Sequence, residues 1–159
     1  MSRRFAYALV HEGVLVLGDP DPRGNHLRLT PSGISFYTSA DPDRATVLPW
    51  ESIRSITAMP PLARFRPPAW ISLAAAAVSA SIGFDWVPRV ADIEFRVVLR
   101  ETAEDHTRVC SGFITRGYRR SHCDAIQTAL RLLIKDERAR ALLADPERFL
   151  ANIARIAGE

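Results

Sequence analysis

"HLRLTPSGISFYT", residues His26 to Thr38, decides how the chain folds. Leu27 and Leu29 alternate with Arg28 and Thr30, and Ile34 and Phe36 alternate with Ser35 and Tyr37. Period-two alternation on both sides of a turn segment, Pro31-Ser32-Gly33, predicts two short antiparallel strands with their apolar residues on one face. The stretch before it agrees. "FAYALVHEGVLVLGD" alternates loosely, breaks at His11-Glu12-Gly13, and resumes as the strand "VLVLG" ahead of the turn-rich "DPDPRGNH".

Downstream, the polar loop "SADPDR" leads into "ATVLPWESIRSITAM", where Trp50, Ile53 and Ile56 recur every three residues. A single helical turn feeding a strand, or a bulged strand, places all three inward, and periodicity leaves both open. The second half is plainer. "DIEFRVVLR" sets Ile93, Phe95, Val97 and Leu99 against Glu94, Arg96, Val98 and Arg100. "HTRVCSGF" repeats the alternation with Thr107, Val109, Ser111 and Phe113, and "ETAEDH" joins the two as a hairpin.

The chain then turns helical. Ser121 with Asp124 three residues on is a variant capping box, and Ile126, Leu130, Leu133 and Ile134 follow as one apolar stripe that needs a cover. Asp145-Pro146 marks a second helix, capped by Asp with Pro at its first position, whose greasy side is Phe149, Leu150, Ile153 and Ile156. Strands first and amphipathic helices last predict an α+β domain in which a curved antiparallel sheet system is capped by a helix.

One passage fits none of these elements. "AWISLAAAAVSASIGFDW", Ala69 to Trp86, carries no charge from Trp70 to Phe84, too short a run for a spanning helix, which needs about twenty apolar residues. A helix apolar nearly all round is covered by its own domain, by a second copy of the chain or by a lipid interface. Trp70, Ile71, Leu73, Phe84 and Trp86 are the candidate interface residues.

The 159 residues suit one domain able to bury a core without disulfides or metal. Hydrophobic content of 47% and charged content of 25% exclude disordered and collagen-like chains. Two cysteines are too few for a disulfide framework, and "MSRRFAYALVHEG" has no signal-peptide pattern, so the expected location is the cytoplasm. A net charge of +3 falls short of a nucleic-acid footprint.

Order and pattern carry a resemblance. "LRLTPSGISFY", "LPWESIRSI", the pair "DIEFRVVLR" and "HTRVCSGF", and the capped helix to Lys135 resemble, over residues 14 to 135, the bacterial PH-like and GRAM-like families. The resemblance implies a bent sandwich of seven strands capped by one helix, in a family that mostly binds proteins or lipid headgroups and rarely catalyses. Against that pattern, residues 60–90 are an apolar insertion and 136–159 an extra helical segment.

No catalytic motif appears: there is neither a nucleophile elbow nor a Gly-rich phosphate loop. His106, Cys110, His122 and Cys123 are metal-ligand types, but adjacent helical positions diverge by about 100°, so no metal or other cofactor is expected. Between His106 and Cys123 there is no carboxylate, while Arg108, Arg116, Arg119 and Arg120 form a candidate anion-binding cluster. Two functions follow as expectations. The first is a non-catalytic protein-interaction or scaffold module, which self-associates through Trp70 to Trp86. The second is a peripheral membrane binder that holds anionic headgroups with the Arg cluster.

Overall fold

The structure, a computed structural model, describes residues 4–21, 24–63, 92–102, 105–113 and 117–158, with the side chains of residues 42 and 43 left aside. It is an α+β fold with two antiparallel sheets. The first runs in chain order through β1 (Arg4–Phe5), β2 (Ala8–His11), β3 (Val14–Gly18), β4 (His26–Thr30), β5 (Gly33–Thr38) and β6 (Asp41–Pro49). The second holds β7 (Ile53–Met59), β8 (Ile93–Leu99) and β9 (Asp105–Cys110). Among the described residues three α-helices follow: α1 (Arg120–Lys135), the short α2 (Glu137–Ala141) and α3 (Pro146–Ile156).

The opening hairpin forms as its alternation predicts. Leu27 pairs with Phe36 and Leu29 with Ile34, and all four side chains are buried. A Cβ on Gly33 would lie 2.4 Å from the carbonyl oxygen of Leu48, so the close approach of β6 demands glycine there. The break at His11-Glu12-Gly13 is a two-residue hairpin turn in which Glu12 and Gly13 have φ of 51° and 74°. β1 and β2 therefore extend the first sheet beyond the seven strands that the resemblance implies.

At Trp50 both open alternatives occur together. Trp50–Ser52 is a single 3₁₀ turn, and β7 then shifts register between Ile53 and Ser55. Trp50, Ile53 and Ile56 are all buried, and the Trp50 Nε1–H donates to the Thr30 carbonyl at 2.8 Å, so its polar edge is satisfied within the core.

β9 departs from expectation. Register sets Ile93, Phe95 and Val97, the buried face of β8, opposite Cys110, Arg108 and His106, while Thr107 and Val109 face solvent. Neighbours across a ladder share a face, so an apolar residue on β9 was no guide to its inner side. Asn25 then joins the two sheets. Its carbonyl accepts from the Ser111 N–H at 2.9 Å, its side-chain amide donates to the Val109 carbonyl at 3.1 Å, and its Oδ1 accepts from the Ser39 N–H at 2.8 Å.

α1 begins one residue before the expected start, and the Ser121 box does not form: Arg119 is the cap residue and supplies no side-chain bond. The cause is local. Leu62 and Tyr118 form an isolated bridge, with the Ala63 N–H donating to the Tyr118 carbonyl at 3.0 Å, which holds the chain extended up to Arg119. α3 starts as predicted, with the Asp145 carboxylate accepting from the Arg148 N–H at 3.1 Å and Pro146 in the first turn.

α1 lies across β7, and α3 lies on β2 and β3. Cys123, Ile126, Leu130, Leu133 and Ile134 of α1 join Phe149, Leu150 and Ile153 of α3 in the same core as both sheets. Gln127 of α1 reaches the β7 backbone: its amide accepts from the Ala58 N–H at 2.8 Å and donates to the Ile56 carbonyl at 2.7 Å. Arg140 of α2 donates to the Leu133 and Ile134 carbonyls at 2.8 and 3.0 Å and pairs with Glu51 beside Trp50.

Candidate docking groove

α1 and α3 do not close on each other along their outer sides. Between them runs an open apolar groove of about 510 Å³. Ala125 and Ala129 form its α1 wall, Phe149 and Ile153 its floor, and Leu132, Leu142 and Ile156 its rim. The two alanines matter because their short side chains leave room where a Leu stripe would have met α3. Rim residues are unusually wet for their type: Leu132, Leu142 and Ile156 are 49%, 52% and 78% exposed. A contiguous apolar surface of this kind is a candidate contact site.

Polar groups on the groove are few and mostly engaged. The Thr128 hydroxyl donates to the Asp124 carbonyl at 2.8 Å, Asn152 Oδ1 accepts from Arg155 at 3.4 Å, and the Asp124 carboxylate lies 3.9 Å from Arg120. The lining is therefore mainly apolar. Nothing in it resembles an acid–base or nucleophilic constellation.

The sequence alone does not announce this groove. It assigns Ile156 to the greasy side of its helix, whereas Ile156 stands on the rim as the most exposed large apolar residue among the described residues. Leu132 sits beside the stripe Ile126, Leu130, Leu133 and Ile134, one apolar residue more than the sheet contact uses, and that surplus was the available signal. Leu142 lies in the 3₁₀ turn Leu142–Ala144, where no periodicity announces it.

The expected basic cluster is divided. Arg119 and Arg120 are exposed at the head of α1, with no acidic residue in its first turn, whereas Arg108 lies on the inner face of β9 with its guanidinium 5.4 Å over the Phe36 ring. Arg116 lies outside the described residues, as do Trp70, Ile71, Leu73, Phe84 and Trp86. His122 stacks on Phe5 at 4.6 Å, and among the described residues no group of three or more His, Cys, Asp and Glu side chains is placed to hold a metal.

Cys110 and Cys123 are free thiols and both are buried. Burial pushes the Cys110 thiol up to about 12 and the Cys123 thiol up to about 11, so both stay protonated at neutral pH and pack as small apolar groups. Among the described residues no helix is long and apolar enough to cross a membrane. Compared with known protein families, with curated proteins and with solved structures, the chain matches none.

Proposed function

We propose that the chain is a non-catalytic protein-interaction module of PH-like build, and that the groove between α1 and α3 is its binding face. The groove carries the reading: it is an apolar channel with an exposed rim and few polar groups, which suits recognition rather than chemistry. The PH-like assignment is supported by element order, since between residues 14 and 135 the strands β3 to β6 of one sheet are followed by β7 to β9 of the other and then by α1.

Peptide-display selection against the immobilised protein tests this. Selected peptides have apolar residues at helical spacing and lose binding to the Leu142→Glu and Ile156→Glu proteins. Selected peptides that bind those variants as well as wild type overturn the assignment of the groove.

A second reading rests on the exposed pair Arg119 and Arg120 at an amino terminus whose first turn carries no acid, the nearest ion-pair partner being Asp124 at 3.9 Å from Arg120. There the chain binds anionic headgroups peripherally. Sedimentation with phosphatidylserine vesicles that falls as salt rises, and falls again in Arg119→Glu/Arg120→Glu, supports it. Absence from the pellet at low salt removes it.

A further inference from the structure

We infer that the occupant of the groove is an amphipathic helix with acidic flanks, supplied by a protein partner; the inference rests on the groove being a docking site. The argument comes from the banks rather than the floor. Residues three and four apart on a helix share a face. On α1, Thr128 and Leu132 line the groove, which puts Arg131 and Lys135 along the same bank. On α3, Asn152 lines the groove and Arg148 and Arg155 flank it at i−4 and i+3; the contact of Arg155 with Asn152 at 3.4 Å fixes that guanidinium at the edge. All four cations are exposed.

The acids on these stripes do not balance them. Asp124 is held by Arg120 at 3.9 Å, and Asp145 is the cap of α3, accepting from the Arg148 N–H. An apolar channel between two basic banks is complementary to a helix with an apolar stripe and carboxylates on either side. Its length fits as well. From Ser121 to Leu132 α1 rises about 16 Å, three turns, room for anchors at i, i+4 and i+7.

The same charges disfavour the competing occupants. A second copy presenting this face would set Arg131, Arg148 and Arg155 against their own counterparts. A planar bilayer would meet the rim at Leu142 and Ile156 without reaching Phe149 and Ile153 on the floor.

Two fluorescein-labelled synthetic helical peptides test the inference, with identical Leu anchors and either Glu or Lys at every flanking position. Anisotropy titration of the full chain at low salt is expected to show the Glu peptide binding at least about tenfold more tightly than the Lys peptide. The variant Arg131→Glu/Arg155→Glu is expected to invert that order. Leu142→Glu/Ile156→Glu is expected to abolish binding of both, with the helical circular dichroism of both variants unchanged. Equal affinity for the two peptides overturns the acidic preference and leaves the groove standing. Binding of neither peptide overturns the groove as a helix site. Groove-dependent pelleting with vesicles of phosphatidylcholine and phosphatidylserine, lost in Ile156→Glu, assigns the groove to lipid and overturns the helix.

Discussion

Gln127 closes the open side of β7 as a further strand would, taking the Ala58 N–H at 2.8 Å and giving its own N–H to the Ile56 carbonyl at 2.7 Å. One side chain thus satisfies a donor and an acceptor of a sheet edge, where unpaired groups invite pairing with other chains. Replacing Gln127 by Ala leaves both groups without their partner at a half-buried edge. We expect a loss of about 1–3 kcal/mol in urea unfolding and faster hydrogen exchange at the Ala58 amide. Unchanged exchange at that amide would show that solvent already serves it.

Gly117 has φ of 80°, and a Cβ there would lie 2.7 Å from the Leu62 carbonyl carbon and from the Ala63 nitrogen. Gly117→Ala combines left-handed strain with a backbone clash, so a cost of about 1–3 kcal/mol is expected, and the Leu62–Tyr118 bridge is the contact that gives way. Calorimetry reads the loss as a lower Tm. A variant as stable as the parent would mean that the Leu62 strand can move aside freely.

His26 is a buried side chain stacked on Tyr37 at 5.1 Å, with Arg28 as a further neighbour. Burial first, and then the Arg28 charge, hold its pKa below the ordinary value of 6.5. The unfolded chain therefore binds more protons than the folded one as pH falls through 6.5, and folding stability drops in that window, levelling off below the lowered folded value. His26→Phe keeps the ring stack and removes the titration. Its urea midpoint should change less than that of the wild type between about pH 7.5 and about pH 5.5. Equal changes in the two proteins would place the titrating group elsewhere.

Self-association through Trp70 and Trp86 makes a separate prediction. Light scattering should give the wild type a mass above the 17.7 kDa of one chain, falling to that value in Trp70→Ser/Trp86→Ser. A wild type that scatters as a single chain ends the proposal.

Legibility in the sequence followed how local each signal was. The hairpin from His26 to Thr38 and the start of α3 at Asp145-Pro146 are written in residues a few positions apart, and both form as expected. The inner face of β9 is not local. Arg108 faces inward because its ladder partner is Phe95, and the aromatic ring of Phe36 accepts its charge, so composition alone pointed to the wrong residues. The groove is less local still: Leu132 and Leu142 acquire meaning only once α2 turns the chain so that α3 runs back beside α1. The start of α1 failed for a related reason, since the Leu62–Tyr118 bridge that sets it joins distant parts of the chain.

Arg140 has a bearing on where the autonomous folding unit stops. Its guanidinium takes up the otherwise dangling carbonyls at the end of α1 and anchors them to the Trp50 turn, while Phe149, Leu150 and Ile153 roof the strands behind. A chain cut after Lys135, at the end of α1, would lose that fastening and bare its interior. Residues 136–158 are keystone rather than ornament, since they cover the same core that the strands and α1 build.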